Sequence, residues 1–586
     1  MKDIPVFNFS SFSNNLVKMN QRIFGNYLKN YAVYHHDLRD IIYTYIDYSS
    51  RLYMDPTQYG QVLNHFANYY KEQILLFETI LLENEGVVSS SDARIVINDK
   101  RFVDEEWTNY PYFSLLAKSY LLLEKLSKSI IDQTNIDHKL RRKLRFYSLQ
   151  YLSLLAPTNF LLTNPTVLKL AMETNGKSLW TGFNYLVQDL ERGKISQIEP
   201  SAFEVGVNLA VSPGAVVFEN EIMQLIQYSP TKKTVFQIPL ILVPPWINKY
   251  YILDLQPKNS FVNYLVNNGL TVFIISWRNP KSGKGNIEFK DYVTEGAIRG
   301  IEIVKSITGS QKVNTLGYCI GGTLLSIAGA ILSKKKDANP INSITFLASM
   351  IDFSDIGPMG DIINTALVSK LERGELINNG VMKGEDMETA FNLIRPNDLI
   401  WKYVVSNYLK GIKPAAIDVM YWTNDNTNLP AAMYIYYMRY MILENKLSRK
   451  NELLINDVLI NVSEINCPVI VIGMKDDNIS PAITTFTTTK LVSGPVEFIL
   501  AESGHVIGAI NPPSAKKYGF LFEGILGNGF EEWVKTAKYS KGSWWKYYIK
   551  RIGELSGAKM HPTQDLGSKE FKVIEAAPGK FVKEKC

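Results

Sequence analysis

"NTLGYCIGGTLL" occupies residues 314–325 and sets Cys319 between Gly317 and the pair Gly321–Gly322. An apolar run leads into it and another leaves it. Strand, tight turn and helix in that order put a nucleophile on a sharp backbone bend, with sulfur where oxygen is usual. Glycines two residues before and two after let the neighbouring strand and the outgoing helix approach closely. The helix starts directly after the cysteine, so its N-terminal dipole favours negative charge on the sulfur. The N–H of Ile320 then faces an oxyanion formed at that point.

A nucleophile of this kind needs a base, and the base needs a partner that orients it. Of the 6 histidines, His35, His36, His65 and His138 precede Cys319 in helical sequence. His505 follows a strand-like run in "LAESGHVIGAINPP", and His561 lies in a polar C-terminal stretch. The order nucleophile, acid, histidine belongs to this strand–turn–helix pattern and makes His505 the base. The acid is expected after the preceding strand, where "VIGMKDDNISP" offers two aspartates. Asp477 is the expected acid and Asp476 its water-facing neighbour. A second oxyanion donor comes from the loop after an earlier strand. That loop is "VPPWIN" (243–248), and since Pro244 and Pro245 have no N–H, the donor is Trp246 or Ile247.

The surrounding pattern agrees with an α/β architecture. "FQIPLILVPPW", "LTVFIISW", "KVNTLGY", "INSITFLASM", "CPVIVIGMKDD" and "PVEFILAESGH" are short apolar runs of strand character. Helical segments separate them; in "DYVTEGAIRGIEIVKSITG" apolar residues recur at 293, 297, 301, 304 and 307. Strands alternating with helices give a mainly parallel sheet. Before residue 200 the periodicity is helical throughout, as in "EQILLFETILLENEG" (72–86), the run from 110 to 133, and that from 138 to 157. Between the strands ending near Met350 and starting near Cys467, a stretch rich in Tyr and Met reads as an inserted helical cap or lid. The expected organisation is a helical N-terminal domain over 1–200 and a catalytic domain over 201–586, with the cap at about 351–450.

Bulk properties narrow the function classes. A net charge of +6 over 586 residues, with Lys and Arg scattered among acids, is no nucleic-acid footprint. The 3 cysteines form no disulfide framework and fit a reducing compartment. Cys467 and Cys586 have no ligand-like neighbours, so no metal site is expected. "MKDIPVFNFSSFSNN" lacks the basic start and apolar core of a leader, and no apolar run reaches the ~18 residues of a membrane span. A cytoplasmic protein is expected.

"GYCIGG" matches the lipase-like box of the polyhydroxyalkanoate synthases, in which cysteine replaces serine. "VPPWINKYYILDLQPKNS" (243–260), "FIISWRNP" (273–280), "FNLIRPNDLIW" (391–401), "NYLKG" (407–411), "DNTNLP" (425–430) and "SGHVIGAINPP" (503–513) resemble that family too. So do "PTNFLLTNP" (157–165) and the run from 192 to 220, and the likeness extends over most of the chain from about residue 98. With its helical N-terminal region and the closing "EAAPGKFVKEKC", the chain resembles the long, class I form.

The resemblance implies an α/β-hydrolase fold. It also implies polymerisation of (R)-3-hydroxyacyl-CoA, chiefly 3-hydroxybutyryl-CoA, into polyhydroxyalkanoate. Coenzyme A is the leaving group, no cofactor is required, and the enzyme is a homodimer that ends on polymer granules. It makes Cys319 the acyl carrier, His505 the base, and Asp477 either the orienter of the histidine or the activator of the incoming hydroxyl. It brings Asp254 and Trp422 near the pocket and makes Arg395 a candidate contact for a coenzyme A phosphate. Asn478 stands where the family often has histidine. An acyl-CoA thioesterase or a polyester depolymerase of the same fold is the competing reading, and a granule-coating protein without activity is a third.

Overall fold

The computed structural model describes residues 38–84, 97–281, 283–335, 339–563 and 565–586. The opening stretch that bears on a leader lies outside these residues, as does Gly86, the expected stop of the helix from 72. The chain divides into two compact units. One takes the described residues up to Glu199 together with Thr389–Ala415; the other takes Pro200–Glu388 and Ala416–Cys586.

The first unit is helical. Its main helices are α1 (Leu38–Met54), α2 (Pro56–Asn84), α3 (Pro111–Gln133), α4 (His138–Leu155), α5 (Pro165–Glu173) and α6 (Lys177–Arg192). Their ends follow local chemistry. The Asp137 carboxylate accepts the N–H of Leu140 to start α4, and Asn164 accepts two N–H groups ahead of Pro165 to start α5. Gly193, at φ 78°, stops α6. Residues 389–415 are built into this unit by side chains holding backbone. Gln150 donates to the Leu393 carbonyl at 2.8 Å, Gln197 to Leu399 at 2.6 Å, and Asn407 to Ser196 at 2.7 Å. A Cβ on Gly182 would overlap the Tyr408 carbonyl, so α6 comes to backbone contact with this segment.

The second unit is organised by an eleven-stranded sheet. Its strands in chain order are β1 (Gly214–Glu219), β2 (Met223–Tyr228), β3 (Leu240–Val243), β4 (Val272–Trp277), β5 (Val313–Tyr318), β6 (Ile341–Leu347), β7 (Val469–Met474), β8 (Val496–Ala501), β9 (Gly519–Phe522), β10 (Lys538–Lys541) and β11 (Glu575–Ala576). The spatial order is β10-β9-β8-β7-β6-β5-β3-β4-β2-β1-β11. From β8 to β4 every pairing is parallel. These six strands are the six apolar runs of the sequence. With helices on both faces they are buried on both sides, which is why they read as continuous apolar stretches rather than alternating ones. The antiparallel flanks (β1, β2 and β11 on one side, β9 and β10 on the other) are not anticipated by the sequence reading. The hairpin β1–β2 turns at Asn220, whose side chain accepts the N–H groups of Ile222 and Met223.

The helix after β5, α7 (Ile320–Ser333), is buried at every position from Ile320 to Ala330. It is therefore apolar all round, as an internal helix must be. The amphipathic run from 289 forms two helical pieces joined by a π-helical turn over Tyr292–Ile298, and Val293, Ala297, Ile301, Val304 and Ile307 face the core. Between β6 and β7 the part of the insertion that stays in this unit carries short helices and two small antiparallel strand pairs, Val381–Met382 with Leu429–Pro430 and Leu453–Ile455 with Val458–Ile460. Asp418–Asn424 is one of the helices, and Ala431–Tyr436, which continues as a π-helical turn through Leu443, is another.

Candidate active site

Parallel pairing brings Val243 of β3 opposite Gly317 of β5, and Tyr318 opposite Leu347 of β6. The carboxyl ends of three strands thus converge where Cys319 leaves the sheet. The Cys319 N–H is still bonded to the Leu347 carbonyl at 2.9 Å, but its φ is 54° and ψ −125°. For a residue with a Cβ that conformation costs on the order of 1–3 kcal/mol and persists only where the surroundings impose it. The glycines do so by allowing close approach. A Cβ on Gly317 would overlap the backbone of Gly322, one on Gly321 the Val243 carbonyl, and one on Gly322 the Ser349 hydroxyl. Ser349 in turn donates to the carbonyls of Leu347 and Gly317.

His505 opens a short helix, α8 (His505–Ala509), after β8. Its Nδ1 is 2.7 Å from Asp477 Oδ2, so the ring carries its hydrogen there and leaves Nε2 for the sulfur. Asp477 follows β7 and has a fully covered side chain. Its other oxygen accepts the N–H groups of Ile479 and Ser480, each at 2.8 Å. Asp476 is exposed. Burial opposes charge on the His505 imidazole, but the Asp477 carboxylate and then the Cys319 sulfur outweigh it. They hold the ring well above the usual imidazole range. The indoles of Trp544 and Trp545 bind the carbonyls of Gly508 and Ala509, fixing α8 from behind.

Ile320 is the first residue of α7, so its N–H has no carbonyl within the helix to bond. The loop after β3 abuts this helix start, because Gly321 has no room for a Cβ against Val243. The loop is held there by the Trp277 indole, which donates to the Pro244 carbonyl at 2.9 Å. Trp246 is buried, with its ring edge-on to Tyr437 at 5.3 Å; Ile247 is half-buried. Tyr437, set edge-on against Trp246, is a residue near this loop that sequence reasoning misses. Its phenol is pushed well above its ordinary range by burial and then by the neighbouring Cys319. Nothing in "YIYYMRYMI" separates it from the other tyrosines there.

A family model described as the poly-beta-hydroxybutyrate polymerase (PhaC) N-terminus matches residues 98–265, and one for the alpha/beta hydrolase fold matches 238–511. The poly(3-hydroxyalkanoate) polymerase subunit PhaC of Cupriavidus necator is 38% identical over 536 residues, 91% of this chain and 89% of that protein. The chain belongs to the poly(3-hydroxyalkanoate) polymerase family. The poly(3-hydroxyalkanoate) polymerase of Methylorubrum extorquens is 38% identical over 87% of this chain and 85% of its own length. The subunit PhaC of Rhizobium meliloti is 33% identical over 93% and 88%. The chain is accordingly an enzyme of acyltransferase type on an α/β-hydrolase fold.

The structure places the remaining residues implied by the polymerase resemblance as follows. Asp254 is buried, and its carboxylate accepts Ser212 at 2.5 Å and Ser260 at 2.6 Å; burial raises it above the ordinary range. It closes the turn that follows the loop after β3. Trp422 is buried and its indole donates to the Lys249 carbonyl at 2.7 Å. Arg395 lies in the helical unit, exposed and paired with Asp398 at 2.6 Å. Among the described residues no group of side chains could hold a metal ion, and no helix is long and apolar enough to cross a membrane.

Proposed function

We propose that this polymerase builds polyhydroxyalkanoate from (R)-3-hydroxyacyl-CoA, chiefly 3-hydroxybutyryl-CoA, through an acyl thioester on Cys319. The observation that carries this reading is a cysteine at the strained turn between three strand ends, beside a histidine whose Nδ1 meets a buried carboxylate at 2.7 Å.

In loading, His505 Nε2 takes the thiol proton while Sγ attacks the thioester carbonyl. The oxyanion is met by the N–H of Ile320 and by that of Trp246 or Ile247. Coenzyme A leaves with the proton from His505. In elongation, the hydroxyl of the next unit gives its proton to His505 and attacks the Cys319 thioester; an oxoester forms, the C–S bond breaks, and the proton returns to sulfur. The 2.7 Å contact supports Asp477 as orienter of the histidine throughout. Loading exchanges one thioester for another and is nearly balanced, whereas each oxoester formed from a thioester is downhill. A serine would spend that drop on loading. Water must stay out for the chain to grow, and the aromatic cover formed by Trp246, Tyr437 and Phe353 serves this.

The name shared by the relatives does not favour a thioesterase or depolymerase. No cofactor is needed, since coenzyme A is part of the substrate. A cytoplasmic homodimer residing on polymer granules completes the reading. Tyr43, Ile46, Tyr53 and Met54 of α1, each at least half exposed, supply an apolar face for it.

The test is coenzyme A release from (R)-3-hydroxybutyryl-CoA with the product sized. High-mass polyester from the parent and none from Cys319→Ala is expected. Release with only free acid would replace the synthase by a thioesterase.

A further inference from the structure

Asp425 is a buried carboxylate with no part in the acyl transfer described above. It accepts Lys249 Nζ at 2.8 Å, the Tyr251 hydroxyl at 3.0 Å and Lys585 Nζ at 2.8 Å. The side chains of Lys249 and Asp425 are each 4% exposed, so this is an internal ion pair rather than a surface one. Such a pair is costly to desolvate, and an apolar pair of the same volume would pack as well or better. What ions and hydrogen bonds add is fixed direction.

The direction imposed is that of one backbone segment. Asn426 pairs with Asn248 as a β-bridge, and the Trp422 indole holds the Lys249 carbonyl. Residues 422–426 therefore strap the chain from Asn248 to Tyr251 through backbone and side chains together. Trp246 and Ile247, whose N–H groups are the candidate oxyanion donors, come immediately before the strapped segment. Their near end is already fixed by Trp277 on Pro244 and by the closeness of Val243 to Gly321. The strap fixes the far end, so the donor stands between two anchored points.

We propose that Asp425 is a positioning residue for acyl transfer. By clamping Lys249 and Tyr251 it aims the N–H of the loop after β3 at the oxygen of the tetrahedral intermediate on Cys319. The inference rests on the reading of that loop as the second oxyanion donor. A donor misplaced by about 1 Å costs on the order of a hundredfold in rate, so a clamp far from the sulfur can be felt there.

Two coenzyme A analogues separate this role from simple stabilisation. A thioether without a carbonyl reports ground-state binding. A fluoroketone forms a bond from Cys319 Sγ to its carbonyl carbon, with the thiol proton passing to His505 and the negative charge to oxygen. It thus reports the oxyanion donors. Asp425→Asn is expected to bind the thioether within twofold of the parent, to lose at least tenfold on the fluoroketone, and to lose at least tenfold in kcat with KM nearly unchanged. Tyr251→Phe removes one clamp contact without stranding a charge and is expected to show the same pattern at about threefold; it decides the matter if Asp425→Asn does not fold. Unchanged fluoroketone affinity, or equal loss on both analogues, in a folded variant would overturn the clamp. A parent enzyme that itself does not prefer the fluoroketone would instead remove the oxyanion reading beneath it.

Discussion

The ring of Tyr318 lies over the imidazole of His505, with centres 5.4 Å apart and planes 26° apart, and its hydroxyl donates to the His505 carbonyl at 3.3 Å. The residue before Cys319 thus holds both the ring and the backbone of the proposed base. Tyr318→Phe keeps the stack and drops one long hydrogen bond, a loss of about 1 kcal/mol or less in stability with kcat within a few-fold. Tyr318→Ala frees the imidazole and is expected to lower kcat at least tenfold. Steady-state coenzyme A release together with thermal melting distinguishes the two.

Asp477→Asn keeps the shape of the site and removes the charge behind His505. A fall in kcat on the order of a thousandfold is expected, by analogy with the orienting acid of serine hydrolases. The same change alters pH dependence. His505 is held above its unfolded value, so its contribution to stability is fully present below about pH 6.5 and is lost as pH rises through the folded value. The parent should therefore lose more Tm than Asp477→Asn between about pH 6 and pH 9. Equal losses would mean that Asp477 does not stabilise the imidazolium.

Gly321→Ala drives a Cβ into the Val243 carbonyl at the floor of the site, where two backbones meet and neither can move aside. Loss of folding or a destabilisation above about 3 kcal/mol is expected. Gly60, inside α2 with nothing within 4 Å of its Cβ direction, is the contrast. Gly60→Ala is expected to stabilise by about 0.5–1 kcal/mol. Chemical denaturation of both variants checks the pair.

Cys319→Ser retains the turn and the base but loads as an oxoester. It is expected to release about one equivalent of coenzyme A, retain a hydroxyacyl group in intact-mass measurement, and make no polymer. Sustained polymer synthesis by this variant would show that sulfur is not needed for the transfer step.

The placing of Cys319, Asp477 and His505 at strand ends was more legible than the frame around them. Cys319, Asp477 and His505 each follow a parallel strand, and fully buried strands announce themselves as apolar runs closed by turn residues. Asp477 could be chosen over Asp476 only by expectation; the structure separates them by burial, a property of the fold and not of the dipeptide. Of the antiparallel strands, β11 escaped because it is two residues long and β10, "KYSK", because it is polar and largely exposed. Their pairing comes from neighbours, not from pattern. Tyr437 escaped for a related reason. In a tyrosine-rich run, the π-helical turn sets which ring meets Trp246. Asp254 and Trp422 lie close to the loop after β3, through Ser212, Ser260 and Lys249 rather than through a hydrogen bond to Cys319, Asp477 or His505.

The excursion of Thr389–Ala415 into the helical unit has a practical edge. Gln150, Gln197 and α6 cling to a stretch of chain encoded some two hundred residues downstream. A gene cut at codon 200 would not release two self-sufficient pieces. The amino-terminal fragment would lack an internal ply of its own packing, and the remainder would trail that ply as an orphan. Swaps between relatives that aim to transplant the helical region therefore need two crossover windows, one before Pro200 and one enclosing 389–415, moved together.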